Sequence, residues 1–548
     1  MKRHFYFILF FLNWIFINHS FADNSNVSSE ELLPVLPELK TDKTRLSALA
    51  TVYVNRFIIE GNQVFTEEEL QTLLQPYQGR SISAEQLQEA RTLLTHHYIN
   101  AGYINSGAII PDQKVENSDV VLKIIEGRLS ELTISGHERL NSAYIHSRLA
   151  LAENEVLNIN KLQEKLQLLQ QNPLLQRINA ELGPGVSLGE GVLNVNVKEN
   201  LPYQFTMRFN NHRSPNIGSY RGELEGIHRN VTGWGDRLYA RYGLTQGLND
   251  YAIEYAIPLN AHETTLGFYL ERSDSRVIDE PFSQLKVESR ADTYALNLQH
   301  PFYRTPNRTL NLGLKLERRE SQTFLLDRPY PFSPGVGYDG KSEIAVVRFW
   351  QDWLDRSRTQ VIAARSSFNF GVDAFGATIN HDNSPDSRFF TWLGQFQWVR
   401  RLDLLESQIL FRTDLQCANE DLLPLEKFSV GGASSVRGYR ENELTRDNGL
   451  IMSLEWRVPL TRWRVPYLSQ ESDDGLLQLA PFFDYGRAWN SDNDTPFPKD
   501  ISSVGLGLRW SPSQKVWGEV YWGKPLRHLP GSGDWQDKGW HFELNFQL

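Results

Sequence analysis

The sequence predicts a mostly β chain: two small α+β units, then an antiparallel transmembrane β-barrel of about 16 strands. Three observations predict it. The last nine residues, from Trp540 to Leu548, alternate without a break, with Trp540, Phe542, Leu544, Phe546 and Leu548 on one face and His541, Glu543, Asn545 and Gln547 on the other. A duplicated pattern fills the stretch before residue 200. From Leu201 onward the texture is strands only, and the polar face of those strands carries charges that a packed soluble core would not tolerate unpaired.

Taken in order, the chain begins as a secretory signal peptide over residues 1–22. Lys2, Arg3 and His4 precede an apolar run from Phe5 to Ile17, and Ser20-Phe21-Ala22 supplies the small residues of a cleavage site after Ala22. The run, about 13 residues, is short for a membrane anchor. Residues 23–51 are polar, with Pro34 and Pro37, and read as a tether. A short helix around Ser29 to Leu39 would fit there, though the prolines weaken it.

Two copies of one unit follow, over residues 52–127 and 128–200. Phe57-Ile58-Ile59-Glu60-Gly61-Asn62 is echoed by Leu132-Thr133-Ile134-Ser135-Gly136-His137. Each copy closes on an alternating strand, ending in Glu126 and in Glu199. Capping boxes at Thr66–Glu69 and Ser83–Gln86 open two helices in the first copy. The order β-α-α-β-β gives a three-stranded sheet with an edge able to accept a strand from another chain. Tyr103, Ile104, Ile109 and Ile110, with the stretch from Ala180 to Val186, are the candidate edges.

The barrel occupies residues 201–548. Strand starts are expected near 204, 220, 236, 250, 263, 290, 308, 341, 358, 388, 404, 450, 475, 500, 515 and 540. The connections after strands five, seven, nine, eleven and fifteen are long and those after even strands mostly short, as in a barrel with long external loops. Mean hydropathy is −0.43, which excludes a helical membrane protein but not a barrel. Cys417 is the one cysteine, so no internal disulfide exists. A net charge of −10 over 548 residues gives no sign of a nucleic-acid partner. No catalytic motif, cofactor loop or metal spacing appears, and His96-His97 has no second ligand pair. The chain therefore reads as neither an enzyme nor a cofactor protein.

One loop, at about residues 418–449, carries the candidate site. Val436-Arg437-Gly438-Tyr439 lies within it, and two strands on the chain reads Phe483-Asp484-Tyr485-Gly486. With Phe483 and Tyr485 facing lipid, Asp484 faces the lumen. A loop folded inward would bring Arg437 to Asp484 as a bidentate pair and so hold itself in the pore.

These motifs, with the two upstream repeats, resemble the two-partner secretion transporters (TpsB, of the haemolysin secretion/activation ShlB/FhaC/HecB type), within the BamA-like barrels that carry POTRA domains. The resemblance implies that the repeats are POTRA 1 and POTRA 2 and that Arg437 meets Asp484. It implies an outer-membrane pore exporting one large unfolded exoprotein, haemolysin-, adhesin- or toxin-like, which the periplasmic POTRA domains recognise. Outer-membrane lipid and, through the C-terminal strand, the barrel assembly machinery are the other expected partners. The short proline-bearing tether departs from the family's amino-terminal plug helix, and Leu548 stands where Phe is common. Two other readings remain. A barrel-assembly or insertion factor of the BamA/TamA kind would have a weak seam between first and last strands. A passive porin would leave the repeats unexplained.

Overall fold

Capping and glycine turns set the first unit. The computed structural model describes residues 51–111, 113, 118–150, 155–531 and 533–548. The expected signal peptide, most of the tether and any plug helix lie outside the described residues. The chain divides into two compact units, one ending at Leu201 and the other beginning at Pro202.

In the first copy, helix α1 (Glu67–Leu74) starts at Thr66, whose hydroxyl accepts from Glu69 N at 3.3 Å. Helix α2 (Ala84–Asn100) starts at Ser83 with a full reciprocal box to Gln86. The first box is only half made, because the Glu69 carboxylate instead lies 3.0 Å from His97 Nε2. Helix α2 buries Leu87, Ala90, Leu94 and Tyr98, one stripe at helical spacing, against the sheet. Arg56–Glu60 runs parallel to Asp119–Ile125, which pairs antiparallel with Gly107–Ile109 on its other side. A further pair, Thr51–Val54 with Arg80–Ser83, was not expected from the sequence.

The second copy repeats this order. Arg128–Ser135 and Leu175–Pro184 flank Glu190–Glu199, with helices α3 (Ser142–Leu149) and α4 (Ile159–Gln170) between. The repeat is physical as well as textual. Gly61 and Gly136 have φ of +85° and +80°, and a Cβ on either would stand 2.5 or 2.2 Å from the carbonyl oxygen of Ile124 or Val197. The turn each one opens is then tied down by the closing glutamate. Glu126 accepts Gln63 N at 2.7 Å and Val64 N at 2.8 Å; Glu199 accepts Glu138 N at 2.8 Å and Leu140 N at 2.9 Å. Glu126 also accepts the Tyr98 hydroxyl at 2.9 Å. Burial, and then that bond, hold the Tyr98 phenol above its ordinary pKa.

The second unit is a closed antiparallel barrel of sixteen strands, with a two-residue strand, Arg328–Pro329, appended to the seventh. Observed starts differ from the expected ones by at most four residues, the largest gap being 408 against 404. Alternation is the reason. In the first strand, Tyr203–Asn210, Phe205, Met207 and Phe209 are exposed on the outer face, while Gln204, Thr206, Arg208 and Asn210 are buried on the inner one.

The wall is uneven in height. Strands one to three and sixteen (Tyr203–Asn210, Arg221–His228, Arg237–Leu244, Trp540–Gln547) have 8 residues each, whereas strands six to eight (Glu288–Arg304, Arg308–Leu325, Lys341–Arg356) have 17, 18 and 16. Strand sixteen closes on strand one over five register pairs, Glu543↔Asn210 to Gln547↔Thr206, the shortest ladder in the wall. Arg208 Nε donates to Asn545 Oδ1 across it at 2.9 Å. The inner charges are held in ion-pair networks: Glu223 contacts Arg208, Arg221 and Arg241. Among the described residues no helix is long and apolar enough to cross a membrane.

Candidate functional site

The connection between strands eleven (Gln408–Ala418) and twelve (Asn448–Arg462) folds inward. A short hairpin, Phe428–Val430 with Leu444–Arg446, stiffens it. Val436, Arg437, Tyr439 and Leu444 are all buried, although they belong to a loop. An irregular segment can sit there because its polar groups find partners on the wall.

Arg437 is the centre of the contact. Its Nε and Nη2 donate to the two oxygens of Asp484 at 2.8 and 2.9 Å, and its backbone N–H donates to Asp484 Oδ2 at 3.0 Å. Asp484, on strand thirteen (Leu476–Trp489), is fully buried, and Ser453 Oγ donates to it at 2.6 Å. The guanidinium also pairs with Glu455 and reaches Ser453 Oγ at 3.2 Å. It lies 3.7 Å from the Phe482 ring centroid and 4.6 Å from that of Tyr521. A planar fork bonded to two carboxylates, with aromatic rings against it, is a demand only arginine meets.

Its neighbours extend the grip. Gly438 N–H donates to His541 Nε2 at 3.1 Å, on the last strand. The Tyr439 hydroxyl is 3.0 Å from the carbonyls of Ser502 and Arg527 and accepts Arg527 N–H at 3.1 Å. Val436 packs in an apolar cluster with Phe428, Val430 and Leu444. Gly486 lies beneath that cluster on strand thirteen, and Phe483 stands half-exposed on the outer face. Two lumen cavities border the loop. One, of ≈ 340 Å³, touches Ala433, Ser434 and Arg437; the other, of ≈ 300 Å³, touches Pro424, Leu425, Lys427, Ser429 and Asn442.

Of the candidate edge residues, Ile109 lies in the three-residue edge strand Gly107–Ile109, and Ile110 just follows it. Tyr103 and Ile104 precede that strand in a turn. Tyr103 packs on the core of the first copy and Ile104 on the core of the second. Leu175–Pro184 is an edge strand, and Val186 beyond it is fully exposed. Among the described residues no three His, Cys, Asp or Glu side chains gather as a metal-holding group.

Sequence reasoning missed Glu455, Ser453 and His541 as partners of the loop. The signal was present, since Ser453 and Glu455 alternate with the apolar Met452, Leu454 and Trp456, but alternation says which way a side chain points and not what meets it.

The family model for "Haemolysin secretion/activation protein ShlB/FhaC/HecB" matches residues 189–510, and that for "POTRA domain, ShlB-type" matches residues 52–127. The chain is 22% identical to the heme/hemopexin transporter protein HuxB of Haemophilus influenzae, over 85% of this chain and 82% of that one. It is 22% identical to the outer membrane transporter CdiB of Dickeya dadantii, over 80% and 77%. The solved structure of CdiB from Escherichia coli matches with a TM-score of 0.70 at 20% identity, covering 93% of both chains, a likeness of fold.

Proposed function

The chain belongs to the ShlB/FhaC/HecB family of haemolysin secretion/activation proteins, the outer-membrane transporters of two-partner secretion, and on that premise we propose that it exports one large unfolded exoprotein through its own lumen. The observation that carries this reading is the buried Arg437–Asp484 contact, which holds a loop inside a closed barrel. A 16-strand barrel is wide enough for an extended chain or hairpin once that loop withdraws. Residues 128–200, which repeat the topology of the matched POTRA domain, serve as a second one. The edge strands at Gly107–Ile109 and Leu175–Pro184 would receive the cargo by strand addition. Outer-membrane lipid meets the apolar outer face, and the alternating C-terminal strand is what the barrel assembly machinery would engage. Transport needs no catalytic group or cofactor here, because folding of the cargo outside supplies the drive.

Deleting the gene tests the reading. One large protein should vanish from the culture medium or cell surface. If the surface proteome is unchanged while many barrel proteins fall together, the insertion-factor reading replaces it.

A further inference from the structure

The loop is held at a second place, on a different wall. Glu426 is 1% exposed. Its Oε1 accepts Arg319 Nη1 at 2.9 Å and Arg348 Nη2 at 2.7 Å, and its Oε2 accepts Arg348 Nη1 at 3.1 Å. Arg319 and Arg348 stand on strands seven and eight. Arg319 also donates to Leu425 O at 2.6 Å, and Gln416 Nε2 donates to Glu426 O at 3.1 Å. The Arg437 contact lies on strands twelve and thirteen and shares no partner with this one. The polarities are opposite: the loop presents an anion to a basic wall and a cation to an acidic one. The loop residues between the two contacts border both cavities, Lys427 and Ser429 on one and Ala433 and Ser434 on the other.

We propose that Glu426, with Arg319 and Arg348, is a second catch for the loop, distinct from Arg437–Asp484, and that the lumen opens only when both let go. Two guanidinium groups on one buried carboxylate make a contact that is strong while dry and loosens once water enters. Arg437 is instead embedded among aromatic rings and closely packed valines. Withdrawal of the Glu426 end would leave Arg319 and Arg348 facing the lumen beside Glu317, the wall carboxylate that both also contact.

This inference rests on the reading of the loop as a movable obstruction, and the experiment separates the two. Full-length protein in planar bilayers would be compared as Glu426→Gln, Arg437→Ala and the double variant, with heat-modifiable gel mobility reporting the folded barrel. Each single change should raise the open-time fraction several-fold, and the double should exceed either. Arg319→Gln/Arg348→Gln, made from the wall side, should match Glu426→Gln and add nothing to it. Glu426→Asp, which keeps the charge, should stay near the parent. Wild-type currents from both Glu426→Gln and the wall-side pair, beside an open Arg437→Ala, would overturn the second catch alone. Additive effects of Glu426→Gln and the wall-side pair would overturn it too. Wild-type currents from every variant would sink the movable-loop reading itself. Should Glu426→Gln lose the folded band, the wall-side pair decides the matter by the same comparison.

Discussion

Gly486 and Val430 are closer than any other residue at position 486 would permit. A Cβ on Gly486 would stand 2.2 Å from Val430 Cγ1 and 2.8 Å from Val436 Cγ2. The strand needs a glycine because the loop lies directly on its backbone. Gly486→Ala should therefore lift the loop without touching a charge, at a cost of about 1–3 kcal/mol. Planar-bilayer recordings should show more frequent opening from a barrel that still inserts; currents like those of the parent would mean the loop does not rest there in the membrane.

Arg437→Ala should cripple secretion, and more severely than Asp484→Ala. Removing Arg437 deprives the buried Asp484 of its ion pair and leaves Glu455 with Arg457 alone of its two arginines, whereas removing Asp484 leaves Arg437 paired with Glu455. Breaking a buried pair costs about 3–5 kcal/mol when dry and less when wet. Secretion of the partner, assayed for both singles and the double, should show a double defect clearly smaller than the sum. Arg437→Lys should not rescue, since an ammonium cannot span two oxygens and a second carboxylate. Additive singles would mean that the contact is not made in the working protein.

Glu126 and Glu199 should matter for stability rather than for the pore. Each satisfies backbone N–H groups of the turn that its copy's glycine opens, so Glu126→Ala or Glu199→Ala should cost about 1–3 kcal/mol in its own copy. Hydrogen exchange on the full-length protein should lose protection at residues 63–64 or 138–140 respectively, with the barrel unchanged. Glu126→Ala has the wider effect, because it also strips the Tyr98 hydroxyl of its acceptor.

Residues 52–200 should be dispensable for insertion and indispensable for export. A chain lacking them should give the parent's conductance and no secreted partner. Normal secretion would rule out cargo recognition by the repeats.

The seam separates export from insertion. Phe209 and Leu544 are register partners across it. With Cys417 replaced by Ser, Phe209→Cys/Leu544→Cys should cross-link the first and last strands. Export through the lumen should survive oxidation of that pair. An insertion factor, which must part its seam, should stop working until it is reduced.

Strand starts were legible in the sequence because alternation is local, and Asp484 could be placed in the lumen from Phe483 and Tyr485 on either side of it. Arg437 was found through its motif and a family resemblance. The rest depended on long-range pairing. Glu426 meets residues 107 and 78 positions earlier, and an isolated glutamate in a loop carries no sign of them. His541 was read correctly as inward, yet only the folded loop reveals that its nitrogen receives Gly438. The extra pair between Thr51–Val54 and Arg80–Ser83 was hidden for the same reason, its two short strands lying on either side of α1.

The uneven wall bears on the lipid. Eight residues rise about 26 Å along a strand, and a tilt of roughly 40° leaves about 20 Å of height, below the usual apolar band of about 25 Å. Acyl chains beside strands one to three and sixteen must compress to meet that belt, while those beside strands six to eight need not. The bilayer should thus thin on that flank, and the elastic cost would fall on the stretch of wall that holds the five-pair seam between strands sixteen and one.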